Sequence, residues 1–509
     1  MAVRAVHGTG LFCYAASVLV ALAVLSPIVV LAVLGLGADV EFGGQVLRIV
    51  VNTLGLTVLT VAGSVAIGVP LALVTSHTDL PGRDVWLALL AAPLAIPSYI
   101  GAFAYFAAFG AGGELQALTG LSTPPVRGLA GAALVMTLYT YPFVLLTTRA
   151  SLRQLDGGMV DAARSLGLSL PAAIWRVVLP RVRAGIAAGA LLVALYTLSD
   201  FATPAILRLD TFTRIIYVEY NAFGLDRAAL LSLQLLALVA VVLVLESRVG
   251  VERETPGRRM ELELAPGARR ALSAGMLAVL AAALALPSAV FGVWLWREGA
   301  GDFDPVLVWN SAWPATLAAV CAVLVGLPVA YAASAGRAGR WLERIATLGF
   351  GIPGIVMGTA LVYVGLRLDF LYQTLALLVI GYVLRFLPLA VGAIRTSVAR
   401  VEGNLIGAAR SLGASRFEAF RRIGLPLILP GIIAGGALVF LEAMRELPAT
   451  LLLRPTGLET LTTELWRVYE AGYFGRAAVP GLLLIGVSAV ALVFMLRGED
   501  RLGKAKHGI

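Results

Sequence analysis

Apolar runs of 18 or more residues recur along the whole chain, separated by short stretches where charges, glycines and prolines collect. Runs of that length match the hydrocarbon thickness of a bilayer, not the one-sided pattern of a soluble helix. The pattern predicts twelve spans. Six lie at roughly 11–36, 50–75, 86–110, 128–149, 184–204 and 228–245, and six more at roughly 271–296, 312–334, 347–366, 374–394, 431–450 and 479–496. Arg4 precedes the first run as in a signal peptide, but the run is too long for a cleaved segment and reads as an anchor. The expected fold is all-α and polytopic.

Composition narrows the picture. Charged residues make up only 14% of the 509, against about 25% in soluble domains, so no sizeable soluble domain is expected. The formal charge of +9 is explained by topology. With both termini in the cytoplasm, most of the Lys and Arg fall in inner loops, as the positive-inside rule requires, and no nucleic-acid partner is needed. Cys13 and Cys321 lie inside apolar runs and His7, His77 and His507 are scattered. This gives neither a disulfide framework nor metal-ligand spacing, and no cofactor is expected. Nothing converges as a nucleophile and base would, which argues against an embedded enzyme.

The chain repeats itself. Asn52 matches Asn310, Gly68-Val-Pro70 matches Gly326-Leu-Pro328, and Ile96-Pro97 matches Ile352-Pro353. Pro142 matches Pro388, Gly185-x-x-x-Gly189 matches Gly431-x-x-x-Gly435, and Phe223-Gly224 matches Phe474-Gly475. This is internal duplication. It divides the chain into a first repeat at 1–250, a charged cytoplasmic linker at 251–270 and a second repeat at 271–509. Each repeat has six spans, so both enter the membrane in the same direction, and parallel repeats of this kind place a pathway at their interface. The Gly pairs are expected to pack helices closely.

Within each repeat one polar loop stands out. Asp161-Ala-Ala-Arg-Ser-Leu-Gly167 and Gly407-Ala-Ala-Arg-Ser-Leu-Gly413 are each followed, at the same spacing, by Leu-Pro, at Leu179-Pro180 and Leu425-Pro426. The residues predict a short helix, a glycine stop and a second helix running toward the next span. Ser169 is placed to cap that second helix in the first copy, and Ser415-x-x-Glu418 reads as a capping box in the other. Such a unit could be gripped in a groove of a soluble partner and act as a lever. A basic loop resting on anionic lipid would explain one copy, but not two in matched register.

The spacing of acid-Ala-Ala, three residues, Gly, nine residues, and aliphatic-x-Leu-Pro resembles the "EAA" loop of binding-protein-dependent ABC importer permeases. Val177 and Ile423 fill the aliphatic position. The resemblance covers nearly the whole chain. It implies a type I importer-like permease of two parallel six-helix repeats in a bacterial inner membrane. It also implies two copies of a cytoplasmic ATPase docked on Asp161, Ala162, Ala163, Gly167, Leu179 and Pro180 and on Gly407, Ala408, Ala409, Gly413, Leu425 and Pro426, and an extracytoplasmic binding protein. Gly407 lacks the acid, which implies unequal ATPase contacts. Among these permeases, Ser199-Asp-Phe-Ala-Thr-Pro204 with Thr211–Tyr217, and Met444–Pro455 with Thr460–Trp466, are similar to the ferric-iron type. Thiamine, polyamine and phosphonate permeases share much of this build. The only lysines, Lys504 and Lys506, are not followed by Ser or Thr, so the chain has no P-loop and ATP must be hydrolysed elsewhere. A secondary transporter driven by an ion gradient would share the twelve spans but not the paired loops.

Five charges fall inside predicted spans: Asp200, Arg385, Glu442, Arg445 and Glu446. Each costs about 2.5–3.5 kcal/mol at mid-membrane and needs a reason. Asp200, Glu442 and Glu446 could border a path for a hard cation, though without a tight metal site, since a channel must release what it admits. Alternatively, an Arg385–Glu442 ion pair could lock two helices.

Overall fold

The computed structural model describes residues 7–35, 44–222, 224–248, 264–301, 303–399, 401 and 403–490. Most of the expected linker, Phe223 and the end of the last predicted span lie outside them. The described chain is helical, and nine of its helices are long and apolar enough to cross a bilayer. Two bent pairs are apolar enough only when taken together, Arg83–Ala95 with Ser98–Ala108 and Arg337–Gly351 with Gly354–Arg367, bent by 85° and 101°, each a broken span or a re-entrant loop. A shorter apolar helix, Phe474–Val490, runs to the edge of the described region.

The sequence predicts the third and ninth spans as single helices, but the structure breaks both at the matched Ile-Pro pair. Ile96 and Ile352 adopt extended backbone, with ψ of 128° and 121°. Proline's Cδ forbids helical geometry to the residue before it, and its ring has no N–H to continue the ladder.

Proline also explains three wide turns. Ile174–Val178, Ala281–Ala285 and Phe420–Gly424 are π-helical, and each is followed directly by Leu-Pro. In each, the Leu N–H reaches back five residues, and the proline that follows donates nothing. Widening the turn relieves the clash between the proline ring and the carbonyl four residues earlier. At Pro287 this leaves the carbonyls of Ala282 and Ala283 without their usual donors. The hydroxyls of Tyr105 and Tyr139 donate to them at 3.0 and 2.9 Å, as a bilayer without water demands.

Contacts divide the chain into two compact units. One comprises Met1–Val40, Ile215–Leu236 and Asp304–Trp466; the other comprises Glu41–Arg214, Ala237–Phe303 and Arg467–Ile509. These units and the sequence repeats are different divisions of the chain. In the first unit the N-terminal helix His7–Gly35 packs on Val306–Ala335 and on both arms of the second bent pair. In the second unit Phe103 meets Phe291, Trp294, Tyr469 and Phe474, with ring centroids no more than 6.0 Å apart. Each repeat's opening helix is therefore housed with the body of the other repeat.

The glycine pairs do pack helices closely. A Cβ at Gly185 or Gly189 would strike Ser151 or Thr147, and one at Gly431 or Gly435 would strike Ser397 or Ala390.

Candidate functional site

The paired loops fold alike. Gly158–Ser165 and Gly403–Ser411 are short helices, and each ends in a glycine with left-handed backbone, Gly167 at φ 91° and Gly413 at φ 90°. In both, the N–H three residues past the helix reaches back five residues, Leu168 to Ala163 and Ala414 to Ala409, at 3.1 Å. The glycine N–H bonds three residues back, to Arg164 and Arg410, at 2.9 and 3.0 Å. This double closure satisfies the last carbonyls and needs a residue without Cβ at the turn.

Beyond the turn, Leu179-Pro180 and Leu425-Pro426 do not begin new helices. They sit inside continuous helices, Leu170–Ser199 of 30 residues and Phe417–Met444 of 28, bridged by the π turns. Each loop is thereby joined to a span without a hinge of free chain. Of the expected caps, Ser415 accepts from the Glu418 N–H at 3.2 Å, while Glu418 itself pairs with Arg422 at 3.0 Å. Ser169 stands at the cap position but makes no side-chain cap. Pro171, two residues on, lacks one of the two N–H groups a cap would accept from.

The loop residues divide by direction. Val160 and Ala163 are buried in a cluster with Leu152, Leu155, Val178 and Val182, which fixes the first loop to its span. Asp161, Ala162 and Gly167 are exposed, as are Gly407, Ala408 and Gly413. The sequence alone does not single out the most exposed apolar side chains of these two segments, Leu166 (87%), Leu412 (90%), Trp175 (73%) and Phe417 (73%). The signal was present, because the leucine before each glycine is part of the repeated motif. Large apolar groups on a polar loop mark a surface that another protein covers.

The intramembrane charges form two separate sites. In the first repeat Asp200 accepts from the Ser98 hydroxyl at 2.5 Å, the Thr203 hydroxyl at 2.7 Å and the Thr203 N–H at 3.2 Å. Tyr196 donates to Ser98 at 3.2 Å. In the second, Glu446 Oε1 lies 2.7 Å from Arg385 Nη1 and accepts from the Ala449 N–H at 3.1 Å. Each acid follows the end of a long helix and caps the short helix after it, Ala202–Ile206 or Pro448–Leu453. A returning threonine closes each loop: Thr213 donates to the Asp200 carbonyl at 2.8 Å and Thr462 to the Glu446 carbonyl at 3.2 Å. The two segments that carried the ferric-type resemblance are these two loops.

The expected Arg385–Glu442 pair is corrected: Arg385 holds Glu446, and Glu442 pairs with Arg445. The predicted span runs on to about residue 450, but the helix ends at Met444 and so separates Glu442 from Glu446. Among the described residues no group of three or more His, Cys, Asp or Glu could hold a metal ion.

Comparison with known proteins places this architecture. The family described as "Binding-protein-dependent transport system inner membrane component" matches the chain twice, at residues 64–249 and 322–504. The chain is 29% identical to the "Fe(3+)-transport system permease protein FbpB 2" of Haemophilus influenzae, over 91% of this chain and 92% of that protein. It is 34% identical to a probable molybdenum ABC transporter permease protein of Haloferax volcanii, over 40% of this chain and 76% of that one. It is 26% identical to a putative 2-aminoethylphosphonate transport system permease protein of Salmonella typhimurium, over 38% and 78%.

Proposed function

This chain belongs to the binding-protein-dependent transport system inner membrane components, and from that membership we propose that it forms the membrane path of an ABC importer for ferric iron. The N-terminus lies in the cytoplasm. Two copies of a cytoplasmic ATPase grip the loops around Gly167 and Gly413, and an extracytoplasmic binding protein delivers the ion on the other face. The observation that carries this reading is the matched pair of loops, each exposing a leucine and an aromatic ring and each continuous with a span. Closure of the ATPase pair on ATP is transmitted along the Leu170–Ser199 and Phe417–Met444 helices and switches the path between inward and outward access. The chain makes and breaks no covalent bond.

Iron is favoured over the alternatives by similarity to the Haemophilus influenzae ferric permease along nearly the whole of both chains. The test is ATP turnover by the purified complex with binding proteins loaded one solute at a time. Ferric iron should stimulate it. Stimulation by thiamine, a polyamine or an aminoalkylphosphonate instead would overturn the substrate. Cysteines placed at Leu166 and Leu412 should crosslink to the ATPase, and their failure to do so would overturn the docking role.

A further inference from the structure

Arg208 has a left-handed backbone, φ 59°, one of two such non-glycine residues described. When the repeats are aligned on Thr211 and Thr460, its counterpart is Gly457, φ 86°. A side chain with a Cβ is disfavoured there, so the first repeat keeps an arginine where the second uses the residue the backbone prefers. Strain held in this way points to a use for the side chain.

The guanidinium lies 5.6 Å from the centre of the Phe106 ring, and the Arg127 guanidinium lies 4.7 Å from the same centre. Tyr469 packs edge-on against Phe106 at 5.6 Å and fixes its own hydroxyl on the Ile206 carbonyl at 2.9 Å. Two exposed cations are thus held on one rigid aromatic platform. Among the described residues neither forms a salt bridge, whereas nearby Arg214 is paired with Asp210. The equivalent corner of the second repeat is neutralised: Arg454 pairs with Glu459 at 2.5 Å, and Gln373 accepts from Thr456 at 2.7 Å.

We propose that Arg127 and Arg208, on Phe106 and Tyr469, are the docking point for surface carboxylates of the extracytoplasmic binding protein. The assignment rests on the topology proposed above, which puts the start of the Gly128–Leu152 helix and the loop after Ile206 outside. A guanidinium pair held over aromatic rings is pre-organised for carboxylate forks. Its exposure favours a protein over a small anion. Water and salt would screen a free ion at this open site, whereas a docked lobe excludes both. A repelling pair of cations is also poorly suited to lining the path of a ferric ion.

The test titrates ferric-loaded binding protein onto the purified permease–ATPase complex in nanodiscs, at low and high salt. The variant is Arg127→Gln with Arg208→Gly, which takes the glycine that the second repeat already uses and so keeps the backbone. The complex should elute intact and bind about tenfold more weakly at low salt. Its affinity should also depend less on salt. Replacing both arginines by lysine should restore part of the binding. Unchanged affinity and salt dependence, with normal stimulation of ATP turnover, would overturn the docking point and leave the importer reading standing. Competition by inorganic phosphate or molybdate alone would assign the arginines to a small oxyanion, and loss of binding only to phosphatidylglycerol vesicles would assign them to lipid; either overturns the proposal. If the unmodified complex neither binds nor responds to the loaded protein, both readings fail.

Discussion

The two repeats meet the same demand with different chemistry. At Asp200 a long apolar helix stops and the carboxylate is held by neutral donors, Ser98 and Thr203. At Glu446 the same stop is held by a cation, Arg385. Ser98 and Gly354 both follow the matched Ile-Pro pair, and Tyr139 and Arg385 both stand three residues before the matched proline. Arginine reaches Glu446 only because position 354 has no side chain; a Cβ there would collide with Arg385 Nη1 and Glu446 Oε1. Tyr139, in the arginine's place, donates to the Ala283 carbonyl instead. Three positions have thus changed together, each accommodating the others. The conserved element is the capped break in the helix, and the charge is one of two ways to hold it.

The comparison can be broken most directly at Glu446. Glu446→Gln strands a largely enclosed guanidinium, which should cost about 3 kcal/mol and lower the melting temperature of the purified complex sharply. Asp200→Asn removes no cation's partner and should cost about 1–3 kcal/mol. Equal losses would mean that the first site also depends on charge.

Packing around the ion pair is tested at position 354. Gly354→Ala should destabilise by about 1–3 kcal/mol through overpacking, and combining it with Arg385→Tyr and Glu446→Gln, which removes the crowding guanidinium and leaves neither charge unpaired, should recover part of that loss. A harmless Gly354→Ala would show that the arginine has room to spare. A smaller effect is expected at the loops. Gly413→Ala meets open space and should lose only the left-handed backbone preference, about 1–2 kcal/mol, seen as a lower melting temperature with the complex still assembled. The smallest is Ser98→Ala, about 1 kcal/mol for one hydrogen bond. A loss as large as that of Asp200→Asn would make the serine, and not the threonine, the main support of the acid.

Much of this was legible in advance. The spans, the duplication and the glycine-terminated loops follow from local rules: run length, repeated spacing and the left-handed backbone that Gly167 and Gly413 adopt. The Gly185 and Gly431 pairs also read correctly, because small residues four apart have few other uses in a membrane. The breaks at Ile96-Pro97 and Ile352-Pro353 fall on repeated landmarks but escape hydropathy, which averages across a proline. The partner of Arg385 is not legible in the sequence, because the chain turns after Met444 where an ideal helix would carry Glu446 farther along the span.

By itself the sequence determined that this chain is a duplicated, all-helical membrane protein with two matched glycine-terminated loops. Run length, residue spacing and glycine conformation are properties of neighbouring residues and need no tertiary information. Tertiary structure decided which helices share a unit, that His7–Gly35 is housed with Asp304–Trp466, and which charge meets which. Those outcomes depend on contacts between residues far apart in sequence, and a polar group in a membrane takes whichever partner the fold brings to it.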